Sequence, residues 1–400
     1  MTVTFKPSKA NGTVYAPPSK SIAHRALICG ALTEESTINN IDFSDDINAT
    51  LDCLKKLGTS VKINGNSVTL GGLSLTKIKD NTELFCGESA STLRFLIPLC
   101  MACGKRINFK GEKGLFSRPL ETYENIAKQN NIEFIKTENS LTVCGNLKSS
   151  NYTLSGNISS QFISGFLFLL PFLKSGTKIS VNDGIQSAPY VNLTIDVLSA
   201  FGVKISRTGD AFTLCENSKY TSAKYTVEGD YSSAAFLDAF NCVGGNVTVL
   251  GLNRESRQGD KVYKEIFQNL QNGEKNFDLS NAIDLAPILF AVSAVFGGAV
   301  FSGTGRLIYK ESDRAKAMCE ELQKFGILSE IGENSVTVKS GELSKPETAV
   351  FCHNDHRIAM ALSVLLSVTG GCLKGAQCVS KSYPDFFKVI SQLGIDIEII

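Results

Sequence analysis

The sequence predicts an α/β chain divided into two domains, each assembled from three copies of one small module. Three observations lead there: chain length, a recurring phrase, and a change of apolar spacing within that phrase. Four hundred residues exceed the size of about 250–300 residues at which one hydrophobic core stops growing, so two cores are expected. The phrase recurs as LKKLGTSVKINGNSVTL from Leu54, LSAFGVKISRTGDAFTL from Leu198 and LQKFGILSEIGENSVTV from Leu322. In each copy helical spacing of apolar residues gives way to alternation just after the Gly, and a polar turn then separates two extended runs.

Each element of the module has a local cause. The Gly ends the helix because it alone enters the left-handed conformation without steric cost, and Asn is the next residue tolerated there. A weaker copy, Ile126 to Val143, accordingly carries Asn130 and Asn131 where the others have Gly. A truncated copy closes the chain from Ile390 with Gly394 in the cap position, and a sixth is placed near Leu270 to Gly273. Turns such as Asn64-Gly65-Asn66 and Thr208-Gly209-Asp210 have hairpin chemistry. Six modules in one chain imply three per domain.

Composition removes several function classes. Lys and Arg total 40 against 39 Asp and Glu, a net charge of +1, so no global field draws nucleic acid or an anionic membrane. Met1 to Ala10 lacks the pattern of a secretory leader, and the longest apolar run, Phe162 to Leu173, is interrupted by Ser164, Gly165 and Pro171. Twelve Cys without metal-ligand spacing and three His argue against zinc and read as buried apolar residues of a reducing cytoplasm.

Polar motifs cluster at helix starts, where unpaired N–H groups and the helix dipole favour anions. Pro17 to Arg25 places Lys20, Ser21 and Arg25 at one such start, with Ser19 or Ser21 as the cap. Asp45, Asp46 and Asn48 open the next helix and read as plain caps. Cys86 to Arg94 forms a small-residue turn with Arg94 behind it, and Arg118 precedes Pro119, expected as the first residue of a helix. Ser159, Ser160 and Gln161 begin the most apolar helix of this half, and Ser187 and Tyr190 flank another start. Asp284 lies in the first turn before Pro287, where a cap or a base are both open readings. Lys310, Glu311 and Arg314, then His356 and Arg357, crowd two further helix starts, and Lys381 precedes Tyr383-Pro384-Asp385-Phe386.

SKSIAHR, SSQF, SAPY, KESDR, NDHR and KSYPDF stand in the order found in the 3-phosphoshikimate 1-carboxyvinyltransferase family, and the resemblance covers essentially the whole chain. It implies two lobes of three βαββαβ units each, an inside-out α/β barrel in each lobe, with a ligand cleft between lobes. Residues 15–226 would form the first lobe, and residues 1–14 with 227–400 the second, joined by two strands near 13–16 and 225–227. The implied reaction transfers the enolpyruvyl group of phosphoenolpyruvate to the 5-hydroxyl of shikimate 3-phosphate, without metal or organic cofactor, in a cytoplasmic monomer.

By motif, Lys20, Ser21, Arg25, Ser159, Ser160, Gln161, Ser187 and Tyr190 would surround shikimate 3-phosphate. Lys20, Arg94, Arg118, Arg314, Arg357 and Lys381 would surround phosphoenolpyruvate, with Lys310 and His356 among the converging cations. The resemblance assigns Asp284 to the substrate hydroxyl, Glu311 to C3 of the vinyl group, and Lys20 to neutralising charge and assisting proton transfer. Glu311 would need an elevated pKa or a proton delivered by Lys310 or His356. Many family members have Gly where Ala90 stands, and the added methyl predicts tolerance of glyphosate, a competitor of phosphoenolpyruvate in the family.

Two rival readings remain. A UDP-amino-sugar enolpyruvyl transferase would carry a reactive Cys in the loop Gly111 to Arg118, which has none. A non-catalytic phosphometabolite-binding protein would have no use for Asp284, Glu311 and Lys381.

Overall fold

The computed structural model describes residues 1–148 and 151–400. The chain forms two compact units, one made of Lys20–Glu228 and the other of Met1–Ser19 with Gly229–Ile400. Each has its own continuous apolar core, one running from Ile22 to Val227 and the other joining Val3 and Phe5 to the segment Tyr231–Ile395.

The Lys20–Glu228 unit contains three four-stranded sheets. The second of them shows the rule: Thr82–Phe85 runs parallel to Arg106–Lys110, which pairs antiparallel with Ser140–Cys144, which pairs antiparallel with Glu133–Lys136. In chain order the repeat is therefore β-α-β-α-β-β, with the hairpin last and its second strand returning to the middle of the sheet. This differs from the βαββαβ order by the place of the hairpin.

The other unit contains two such sheets and a reduced one. In the sheet of Val350–Phe351 and Gly371–Lys374, the N-terminal strand Thr2–Phe5 takes the inner hairpin position and pairs with Ile397–Ile399. The reduced sheet has two parallel strands, Asn246–Leu250 and Asn11–Tyr15. Its helix Tyr263–Gln271 ends as the sixth copy predicts, but the following strand Asn276–Asp278 opens the next sheet instead of a hairpin.

The helix-ending residues behave as their chemistry requires. Asn131, at φ 53°, and Gly58, Gly202, Gly273, Gly326 and Gly394, at φ between 83° and 105°, are all left-handed. In each case the next residue donates its N–H back into the last helical turn, as Thr59 does to Leu54 O at 3.0 Å and Ile327 to Leu322 O at 3.1 Å. These bonds satisfy carbonyls that the helix leaves open.

Three local expectations are corrected. Pro119 lies outside the helix Glu121–Gln129, because its carbonyl is held by Arg94 Nη2 at 2.9 Å. Ser44 is the N-cap of Asp45–Lys56 and caps without its side chain; Asp46 is turned instead to Lys20, and Asn48 Nδ2 donates to Phe43 O at 3.0 Å. Ser19 precedes the helix Lys20–Ala31, yet its Oγ is buried without a hydrogen-bond partner.

Candidate active site

In the Lys20–Glu228 unit the predicted residues gather at helix starts. Lys20 Nζ donates to Asp46 Oδ2 at 2.6 Å, both side chains being mostly buried. Arg25 is fully enclosed: Nε donates to Thr194 Oγ1 at 2.8 Å, Nη1 to Ser21 O at 2.6 Å and Nη2 to Tyr190 O at 3.1 Å. Its guanidinium lies 5.0 Å from the centre of the Phe95 ring, and burial depresses its pKa to about 10. Arg25 thus ties Ser21 and the helix that carries Tyr190 into one assembly. Ser187, buried, takes a left-handed φ of 54° before that helix, Ala188–Ala200.

Arg94 is positioned by a proline. Pro98, inside the helix Ala90–Met101, has no N–H for the carbonyl of Arg94 four residues earlier, and Tyr123 Oη fills the vacancy at 2.8 Å. Gly165 permits the close approach, since a Cβ there would stand 2.3 Å from Tyr123 Oη and 2.6 Å from Arg94 O. The Arg94 side chain donates through Nη1 to Gln161 Oε1 at 2.9 Å, while Gln161 Nε2 donates to Ser91 Oγ at 2.9 Å. Ser159 Oγ caps the helix Ser160–Leu169 by accepting from Gln161 N, and Ser160 is buried in its first turn.

Ala90 opens the helix Ala90–Met101, half-buried, beside the cap Ser89. Ser89 Oγ also accepts from Thr92 Oγ1 at 2.8 Å, Thr92 bonds Thr50 at 2.6 Å, and Thr50 bonds His24 Nδ1 at 2.8 Å. This buried chain joins the small-residue turn to the Lys20 helix. Arg118 is only 8% exposed and makes no hydrogen bond or ion pair among the described residues. A guanidinium so enclosed calls for an anion.

In the other unit the cluster is dense and balanced. Asp284 sits in the single turn Ile283–Leu285 before the helix Ala286–Val295. Its Oδ1 lies 2.9 Å from both Lys310 Nζ and Arg314 Nη1, and its Oδ2 is 3.5 Å from Arg357 Nη2. Burial raises its pKa, but Lys310, Arg357 and Arg314 outweigh that and press it well below the usual carboxylate range. Burial depresses the Lys310 ammonium, against the pull of Asp284.

Arg314, 1% exposed, is held by three carboxylates, with Nη2 donating to Glu311 Oε2 at 2.6 Å and Nε to Asp355 Oδ2 at 2.7 Å. Asp355 also caps the helix His356–Thr369 through Arg357 N, and His356 is buried at that helix start. Lys381 Nζ donates to Asn354 O at 2.6 Å. Among the described residues no group of three or more His, Cys, Asp or Glu could hold a metal ion.

The sequence reading therefore finds Lys20, Ser21, Arg25 and Tyr190 in one assembly, Arg94 with Gln161 in a second, and Asp284, Lys310, Glu311, Arg314 and Arg357 in a third. It misses the acids that hold them. Asp46 reads as a helix cap in sequence and Asp355 as one charge in a crowded helix start, and only their long-range partners reveal more. Asp260, 2% exposed, is a further omission; burial and the nearby Asp284 push its pKa up to about 6. Arg306 is another, donating through Nη2 to Ser280 O at 2.7 Å; Gly303 and Gly305 beside it make its segment read as a plain turn.

Comparison with known proteins gives a consistent picture. The family model EPSP synthase (3-phosphoshikimate 1-carboxyvinyltransferase) matches residues 5–390. The 3-phosphoshikimate 1-carboxyvinyltransferase of Clostridium perfringens is 38% identical, with 98% of each chain covered. That of Clostridium acetobutylicum is 39% identical over 99% of this chain and 98% of its own. Among solved structures, EPSP synthase from Acinetobacter baumannii aligns with a TM-score of 0.79 at 23% identity over 99% of both chains. The enolpyruvyl transferase NikO from Streptomyces tendae aligns at 0.77 and 14% identity, over 99% of this chain and 98% of its own. At those identities the structural matches speak for the fold.

Proposed function

The chain belongs to the EPSP synthase family, and from that membership we propose that its clustered residues divide the work of enolpyruvyl transfer as follows. The reaction itself is the family's: the 5-hydroxyl of shikimate 3-phosphate takes the enolpyruvyl group of phosphoenolpyruvate, giving 5-enolpyruvylshikimate 3-phosphate and phosphate, in the shikimate pathway to aromatic amino acids.

Asp284 accepts the proton of the 5-hydroxyl as its oxygen adds to C2 of phosphoenolpyruvate, and Glu311 gives a proton to C3. The tetrahedral ketal then loses phosphate as C3 returns a proton, restoring the double bond. Lys310 and Arg357 hold the charge beside Asp284, and Lys381 and Arg314 complete the anion sites. Ser21, Ser159, Ser160, Gln161, Ser187, Tyr190 and Arg25 receive shikimate 3-phosphate, while Lys20, Arg94 and Arg118 meet phosphoenolpyruvate. Arg forks suit both carboxylate and phosphate oxygens. We also read the enzyme as a cytoplasmic monomer, on the strength of the cysteine usage and the resemblance to its family.

The observation that carries this reading is the convergence of Lys310, Arg314 and Arg357 on Asp284, with Glu311 two bonds along the same network. As it stands, Asp284 is too well paired to be a strong base. Substrate anions that draw Lys310 and Arg357 away would raise its basicity at the moment it is needed. Turnover in deuterium oxide tests the assignment: product formed by the native chain should carry deuterium in the vinyl group, and Glu311→Gln should lose both product and exchange. Exchange at the native rate in Glu311→Gln would exclude Glu311 as the donor.

A further inference from the structure

Glu321 is 1% exposed and lies two turns after Arg314 on the helix Arg314–Lys324. No part of the proposed reaction uses it, yet it accepts from every side. Lys324 Nζ donates to both its oxygens at 2.8 and 3.0 Å, His353 Nε2 meets Oε1 at 2.8 Å, and Phe351 N donates to Oε2 at 2.9 Å. Burial would raise its pKa, but these donors together bring it below the ordinary value. Lys324 also lies 4.8 Å from the centre of the Phe351 ring.

Two of these donors, Phe351 and His353, share a place in the chain. Phe351 ends the strand Val350–Phe351, and His353 begins a pair of consecutive left-handed residues, His353 at φ 49° and Asn354 at φ 55°. Neither is glycine, so the surroundings must hold both in a conformation L residues rarely adopt. The bend has a clear product. It presents Asn354 O to Lys381 Nζ at 2.6 Å, and it sets Asp355 to cap Arg357 N at 2.9 Å and to grip Arg314 Nε at 2.7 Å.

We infer that Glu321, acting through His353, is a positioning residue that holds the bend 353–355 so that Lys381, Arg357 and Arg314 are aimed at phosphoenolpyruvate. The helix Arg314–Lys324 serves as a bracket: its first residue is fixed by Asp355 and its third turn by Glu321, so both ends grip the same short segment. Neither Glu321 nor His353 touches substrate in this scheme. The inference rests on the reading that Arg357 and Lys381 hold phosphoenolpyruvate.

The test compares His353→Ala, His353→Gln, Glu321→Gln and Arg357→Ala, with melting temperature and steady-state constants for each substrate. Removing a charge-assisted bond should raise KM for phosphoenolpyruvate about tenfold in His353→Ala and in Glu321→Gln. KM for shikimate 3-phosphate should change by less than about twofold. His353→Gln keeps an N–H donor toward Glu321 and should recover most of the loss, which a merely structural role would not require. His353→Ala serves alone where Glu321→Gln does not fold. If Arg357→Ala raises KM for phosphoenolpyruvate while His353→Ala lowers only the melting temperature, or His353→Gln behaves like His353→Ala, the positioning role is wrong. If Arg357→Ala leaves that KM unchanged, the underlying assignment of the anion site fails, and the inference with it.

Discussion

Lys310 Nζ and Asp284 Oδ1 stand 2.9 Å apart, in a cluster where the same carboxylate oxygen also receives Arg314. The pairing keeps Asp284 ionised but makes it a weak base. A base works only when deprotonated, so activity falls as pH drops through its pKa. Lys310→Met removes the largest charge that lowers this pKa, and the acid limb of the kcat/KM profile should move to higher pH. A limb that stays put would show that Asp284 does not govern it.

Glu311→Gln should lower turnover by on the order of a hundredfold or more while leaving shikimate 3-phosphate binding nearly intact. Arg314 keeps Asp284 and Asp355 as partners in that variant, so the fold is not at stake. Calorimetric binding and steady-state rates separate the two effects, and equal losses in both would remove Glu311 from the chemistry.

Tyr123→Phe should destabilise the Lys20–Glu228 unit by about 1–3 kcal/mol, the cost of leaving a buried acceptor unmade. Pro98 offers Arg94 O no N–H, and Tyr123 Oη is its donor at 2.8 Å. Denaturant midpoints measure this. An unchanged midpoint would mean that another group satisfies the carbonyl.

His24 is fully buried, and burial, with Lys20 and Arg25, holds its pKa well below 6.5. It stays neutral in the native chain, whereas the unfolded chain takes up a proton below about pH 6.5. Its contribution is therefore intact above that pH and lost as pH falls, at about 1.4 kcal/mol per unit. His24→Gln should flatten the decline of stability between about pH 6.5 and 5 relative to the native chain; a parallel decline would contradict it.

Ala90 places a methyl group at the first residue of the helix Ala90–Met101. Crowding of a tight site costs about 1–3 kcal/mol, so glyphosate, longer than phosphoenolpyruvate when bound, should inhibit weakly, and Ala90→Gly should restore sensitivity. Inhibition constants for both forms decide between this and an indifferent methyl.

Much of this was legible in the sequence because it is local. Helix, Gly cap, strand and turn are set by neighbours a few residues apart, and the six left-handed caps follow from that chemistry. The cationic residues were found because charge at a helix start is conspicuous. What stayed hidden depends on partners far along the chain. Asp46 reads as a cap until Lys20, 26 residues away, is seen to hold it, and Asp355 is one charge in the NDHR motif until Arg314, 41 residues away, is seen to grip it. Glu321 looks like one charge among several on an amphipathic helix, since nothing in its neighbourhood announces His353. The missing hairpin after Gly273 was equally invisible, because the cap preceding it is intact.

The decisive measurement is phosphate release from phosphoenolpyruvate, followed with and without shikimate 3-phosphate. One phosphate should be released per 5-enolpyruvylshikimate 3-phosphate formed when both substrates are present, and none with either alone. Release from phosphoenolpyruvate by itself, or release that depends on a UDP-amino sugar instead, would contradict it.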